Sequence, residues 1–276
     1  MTRSIIQNNL GVQPVYYLTN QLDISTISFT TFITTDVLYS LVGVGRQTAF
    51  EVRLADFSPG HEPGLRNHLG IPALVLAAIA QINNLAARSD VLGMPRGIEM
   101  AAKIAEDLQN WRPEIRSGMT ASCLAETVAV QAMWCEVSWP RTRLVRLELM
   151  AQVAKILMHQ HLYKRGILSK SIRACLTEFL RTAQAIPDRT HSNGDDSRLF
   201  VSASKACAWF VASTCAISPQ ERIHCLRELN ACGNEKVFRE NAKAIEALWQ
   251  EMDSTGQPPA DWRVFLNQIK ANVVFL

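Results

Sequence analysis

Apolar residues return every three to four positions through most of this chain, and no stretch alternates apolar and polar residues long enough to read as a strand. A helix aligns one face at a period of 3.6 residues, whereas a half-buried strand needs a period of two. The pattern therefore predicts an all-α fold, a compact bundle of about ten helices. The spacing places helices over 24–44, 72–89, 97–110, 121–139, 142–164, 169–186, 199–215, 219–231, 236–252 and 260–271. No internal repeat accompanies them. Helical pattern resumes with similar composition after each loop, so we expect one helical domain over 1–276, with 1–23 an irregular N-terminal arm.

Several helix ends carry their own mechanism. Ser218-Pro219-Gln220-Glu221 reads as a capping box with proline at the first helical position. Lys164-Arg165-Gly166 places cations in a last turn and a glycine where a left-handed residue would end the helix, and Gly233 is expected to do the same after Cys232. Residues 58–70 and 187–197 are rich in Gly, Pro, Asp, Asn and His and read as long surface loops.

Composition narrows the class. An apolar fraction of 48% and a charged fraction of 19% suit a globular chain with a sizeable core. The longest strongly apolar stretch, Ile71 to Ile82, is too short to cross a bilayer and contains Gln81, and the first residues lack the apolar run of a secretory signal. A cytoplasmic or nuclear location and no membrane span are expected. The net charge of +3 does not by itself point to nucleic acid. Between Arg141 and Arg181 nine Lys or Arg face only Glu148 and Glu178, which reads as solvated helix faces in preference to an anion-binding patch. The seven cysteines, Cys123, Cys135, Cys175, Cys207, Cys215, Cys225 and Cys232, are scattered along helical runs with no C-x-x-C pair, the pattern of reduced core thiols.

The order of segments resembles a known family. Phe32-Ile-Thr-Thr-Asp-Val-Leu-Tyr-Ser-Leu is followed by Gly70-Ile-Pro-Ala-Leu-Val-Leu-Ala-Ala-Ile-Ala-Gln-Ile-Asn-Asn-Leu-Ala-Ala. Later come Glu221-Arg222 opening a helix, Asn241 and Ala242 leading to Leu248-Trp249, and Asp261-Trp262-Arg263 before an apolar tail. Over roughly 25–276 this resembles the regulatory domain of fungal zinc-cluster transcription factors. In that family a cluster of six cysteines binding two zinc ions precedes the domain and reads DNA. Here the first cysteine is Cys123, so this chain carries no such cluster and no direct nucleic-acid binding is expected of it. Where the family often has Trp-Pro in a late helix, this sequence has Ala208-Trp209-Phe210.

No G-x-S-x-G elbow, phosphate-binding loop, dinucleotide fingerprint or H-E-x-x-H helix is present, and no cofactor is expected. The carboxylates Asp195 and Asp196 lack the third acid that a magnesium-dependent terpene cyclase would need. His159-Gln160-His161 is the densest titratable cluster, but positions i and i+2 of a helix do not share a face, which disfavours a common metal. His159 is then either a packed or capping histidine or a catalytic hydrogen-bonding group. Trp134, Glu136 and Trp139 form a second group, in which a desolvated Glu136 would be a proton donor and an exposed one would be inert. Asp36 lies near Phe32 and Tyr39 at helical spacing, and the resemblance favours a structural role for it. Gln81, Asn83 and Asn84 interrupt the most apolar helix and either line a cavity or face a neighbouring helix end. Trp209 and Phe210 are core residues or pocket walls.

Two functions fit. The reading favoured from sequence is a cofactor-independent enzyme or binder of an apolar small molecule of fungal secondary metabolism. It would promote cyclisation or cycloaddition of a terpenoid or polyketide intermediate by pocket preorganisation. Its catalytic groups would be His159, Asp36 and Trp134, with Gln81, Asn84, Trp209 and Tyr39 lining the substrate. The alternative is a transcriptional co-regulator or metabolite sensor acting through a homodimer or a protein partner. Either reading expects no stoichiometric zinc after dialysis, and one or two zinc ions per chain in elemental analysis would contradict both.

Overall fold

The computed structural model describes residues 24–48, 71, 73–88, 93–110, 141–184, 198–232 and 236–275. Among them are nine α-helices: α1 (Ile24–Val42), α2 (Ala73–Ala87), α3 (Pro95–Asn110), α4 (Arg141–Leu157), α5 (Lys170–Gln184), α6 (Arg198–Ser213), α7 (Pro219–Asn230), α8 (Lys236–Thr255) and α9 (Trp262–Gln268). A π-helical turn, Met158–Leu162, continues α4, and no strand occurs among the described residues. The all-α reading holds, and each helix expected inside these limits is present with its ends displaced by a few residues. The helix expected over 121–139, the loops at 58–70 and 187–197, Gly233 and the arm 1–23 lie outside the described residues.

Three helices form the centre. Val75 to Ala80 of α2 and Ala206 to Ala212 of α6 are buried without interruption, over more than a full turn in each. Over those stretches the helices have no solvent face, as expected of core segments that are apolar all round. Their alanines let neighbours approach closely. Between them runs α4, whose residues from Leu149 to Met158 are buried except for Lys155. α1 and α3 pack on α2, α5 packs on α4, and α7 and α8 pack on α6. The peripheral helices show the expected single stripe: Gly97, Ala101, Ile104 and Leu108 in α3, and Ile172, Leu176, Phe179 and Ala183 in α5.

The caps follow local chemistry. At α7 the Ser218 hydroxyl accepts from the Glu221 amide at 3.2 Å, and the Glu221 carboxylate accepts from the amides of Ser218 at 3.1 Å and Ile217 at 2.9 Å. The capping box read from sequence is therefore in place. At α9 Asp261 accepts from the Arg263 amide at 2.9 Å, and Lys270 takes a left-handed backbone with φ 52°. The Ala271 and Lys270 amides then close on the carbonyls of Leu266 and Asn267, a Schellman ending built on a lysine. Gly166 does not have the role the sequence assigns it. Lys164 is the left-handed residue, with φ 50°, and the Arg165 amide closes on the His159 carbonyl at 2.9 Å. The π-helical turn widens the last turn by one residue and ends it earlier, so the glycine is left outside.

Paired asparagines join α1 to α2. Asn83 donates to the Ser40 hydroxyl at 2.9 Å, while Asn84 donates to the Thr48 hydroxyl at 2.8 Å and accepts from the Thr48 amide at 2.7 Å. They face the end of a neighbouring helix and the chain that leaves it.

Trp209 is 2% exposed, meets Phe179 edge to face at 5.0 Å and lies 5.3 Å from the His224 ring. Trp209→Ala is expected to lower the unfolding free energy by about 3–5 kcal/mol through lost burial and residual cavity. Ile223→Ala, at a position 70% exposed, is expected to change it by less than about 0.5 kcal/mol. Paired urea titrations check the contrast.

Candidate functional site

The π-helical turn brings together two histidines and a glutamine, all at least half-buried. It packs against α2, α3 and α5, and π-helical turns recur at functional positions because they re-aim side chains out of the α-helical register. Its three central side chains have distinct surroundings. Gln160 accepts from the Trp262 indole at 3.1 Å and donates to the Thr214 hydroxyl at 3.4 Å and the Cys215 sulfur at 3.2 Å. It thereby ties the turn to α9 and to the end of α6. His161 is buried with its ring 5.9 Å from that of Trp262, and its Nε2 has no hydrogen-bond partner. His159 is half-buried, 5.7 Å from the Tyr163 ring, and its buried Nδ1 also lacks a partner.

Both imidazoles are held neutral. Burial pushes His161 down to about 3, and the nearby Arg263 guanidinium adds to the effect while Asp261 opposes it. Burial and the Arg165 charge lower His159 as well. A neutral imidazole has one donor and one acceptor nitrogen, so each ring can hold a hydrogen bond of either sense. The two rings have different neighbours, and no group of three or more His, Cys, Asp or Glu side chains among the described residues could hold a metal. Asp261 is buried enough to raise its pKa, yet its hydrogen bonds and ion pair with Arg263, at 2.6 Å, hold the carboxyl below the usual range.

The other residues singled out from sequence are distributed over the fold. Asp36 and Gln81 are half-buried on α1 and α2. Both polar groups of Asn84 are engaged by Thr48. Tyr39 is 46% exposed, with the Arg46 guanidinium 3.9 Å from its ring centre. Trp209 belongs to the core on α6. Trp134, Glu136 and Trp139 lie outside the described residues. Four of the cysteines, Cys207, Cys215, Cys225 and Cys232, are buried free thiols pushed up to about 12 by burial, and are poor nucleophiles.

Sequence reasoning gave no site role to Gln160, Arg173 or Asn241, whose bonds span 102, 48 and 33 residues. The available signal was a polar residue at a core-facing position of an apolar helical run. Its partner has no local trace in the sequence.

The His161 environment gives a signed pH dependence. Its folded pKa of about 3 lies below the ordinary 6.5, so the unfolded chain binds the extra proton. Stability is full above about pH 6.5 and falls as the pH drops toward 3, by about 2 kcal/mol at pH 5 from this group. His161→Gln is expected to remove that part of the slope. Denaturant titrations of both proteins at pH 5 and pH 7.5 measure it.

Comparison with known proteins gives one family. The chain matches the fungal specific transcription factor domain over residues 16–276, a span that takes in every described helix. No curated protein and no solved structure matches it. The match covers far more than half of the chain, and the protein belongs to the fungal specific transcription factor domain family.

Proposed function

We propose that this chain is a regulatory module of fungal transcription that acts in the nucleus through a protein partner and responds to a small-molecule signal. The observation that carries the reading is the family match over 16–276, which includes the central helices and the π-helical turn alike. The match lends no support to cyclisation or cycloaddition. Residues that would have to line one apolar-substrate pocket have other duties: Asn84 is committed to Thr48 and Trp209 to the Phe179 and His224 contacts.

Within this reading the signal is met at the π-helical turn. His159 is half-buried, and its Nδ1, buried in this structure, lacks a partner, so a ligand with an apolar body and one hydrogen-bonding group that turned the ring to reach that nitrogen would gain a bond without displacing an internal one. The turn is tied through Gln160 to α6 and α9, which gives an occupant mechanical contact with the far half of the bundle.

The test is a fusion of the full chain to an unrelated DNA-binding module, assayed on a reporter in a fungal host. Reporter output is expected to differ at least several-fold from that of the DNA-binding module alone. His159→Ala is expected to alter the response while changing unfolding free energy by less than about 0.5 kcal/mol. A fusion that is inert under every growth condition overturns the regulatory reading.

A further inference from the structure

The segment after α9 is held in an unusual manner. Ala271 to Phe275 belongs to no helix, and its side chains alternate: Val273 and Phe275 are buried, Asn272 is exposed and Val274 is half-buried. That period of two is the signature of an extended chain presenting one edge to a groove. The groove lies between α6 and α8, which pack on each other. From α6, Phe210 meets the Phe275 ring edge to face at 5.3 Å, while Trp262 packs against Phe210 at 5.8 Å. From α8, the fully buried Asn241 donates to the Val274 carbonyl at 2.8 Å and accepts from the Val274 amide at 3.1 Å.

One side-chain amide thus satisfies both backbone groups of one residue, as a neighbouring strand would. Such a contact reads main chain and makes no demand on the side chain at that position. Selectivity falls to the flanking inward residues, which must be apolar and two apart. This division of labour is how proteins bind extended peptides, with the backbone giving affinity and alternate pockets giving specificity.

We infer that the groove between α6 and α8 is a peptide-binding site, that residues 271–275 are its resident occupant, and that it takes in trans an extended peptide with apolar side chains at alternate positions. The resident is tethered through the left-handed turn at Lys270, and a tethered ligand on a short linker competes at an effective concentration of about a millimolar. A peptide in solution therefore binds weakly until the resident is disabled. Beyond Ala271, whose amide closes on the Leu266 carbonyl, the segment is anchored by one asparagine and two apolar side chains, which puts it among the parts of a fold that open before the core does. This inference is independent of the regulatory reading, and its failure would leave that reading untouched.

The test uses the full chain with Val273→Asp and Phe275→Asp, and as probe a fluorophore-labelled synthetic peptide with the sequence of residues 270–276. Fluorescence anisotropy is expected to show saturable binding at least about tenfold tighter than to the unaltered chain. Adding Asn241→Ala is expected to weaken it at least about tenfold, the effect of losing two part-buried hydrogen bonds. A probe carrying the two aspartates is expected not to bind. Absence of binding to the folded double variant, binding indifferent to Asn241, or unfolding of the chain by the double substitution each overturns the proposal. Hydrogen exchange on the unaltered chain gives a second reading. The Val274 amide is expected to exchange at least about 100-fold faster than that of Phe210 by local opening. Exchange of both at the rate of global unfolding would show that the segment is an inseparable part of the core.

Discussion

A buried turn cannot leave its peptide groups unpaired, because each one removed from water without a partner costs as much as a lost hydrogen bond or more. The chain between α6 and α7 is such a turn, with Thr214, Cys215 and Ala216 all buried. Its bonds come from four other parts of the fold, and a fifth is joined to it through Gln160. The Trp249 indole of α8 donates to the Ser213 carbonyl at 3.1 Å, and Arg173 of α5 donates to the Cys215 carbonyl at 2.8 Å while pairing with Glu221. Glu221 of α7 closes the amides of Ile217 and Ser218, and Gln160 of the π-helical turn meets Thr214 and Cys215 while holding Trp262 of α9. The positions of α5, α7, α8, α9 and the π-helical turn all depend on this one turn being satisfied.

That dependence explains the electrostatics of Glu221. Burial alone would raise its carboxyl, but the two amides and the Arg173 guanidinium outweigh burial and hold it below the ordinary glutamate range. The carboxylate is then charged at any physiological pH, acceptor-only, and suited to the two amide donors it meets there, Ile217 and Ser218. Arg173 cannot be replaced by lysine on equal terms. Its fork reaches a carbonyl and a carboxylate at once, whereas an ammonium is a single point of charge.

What the sequence discloses divides along the same line. Ser218-Pro219-Gln220-Glu221 was legible because a capping box is made within four residues. The helices were legible because burial stripes repeat at helical spacing in α3 and α5, and because α2 and α6 are apolar for more than a turn. The π-helical turn was not, since one extra residue per turn leaves no mark on composition, and Lys164 in place of Gly166 as the left-handed residue follows from it. The long-range clamps were not legible either. Asn84 could face a cavity or a neighbouring helix end, and only the return of Thr48 to its amide decides between them. The site residues suffered most, because a polar residue in an apolar run signals that it has a partner without saying whether the partner is a ligand or the chain itself.

The apolar helices at the centre make those clamps necessary. Over Val75–Ala80 and Ala206–Ala212 the helices α2 and α6 are buried all round, and an Ala-rich surface packs nearly as well after a small rotation or slide. Dispersion and burial therefore fix that these helices are inside without fixing their register. A hydrogen-bonded side chain is directional and fails when displaced by an ångström or so. Asn83 and Asn84 set α2 against α1, Gln160 sets the end of α4 against α6 and α9, Trp249 sets α8 against α6, and Asn241 sets the 271–275 segment on α8. Each is a polar residue on an otherwise apolar face, where an unpartnered group would be costly. Two of the exceptions, the free nitrogens of His159 and His161, fall in the same turn. The others among the described residues, Asn83 Oδ1 and Arg222 Nε, stand singly on helices that other bonds already hold, so the π-helical turn is distinguished by carrying an open bond on each of its two histidines.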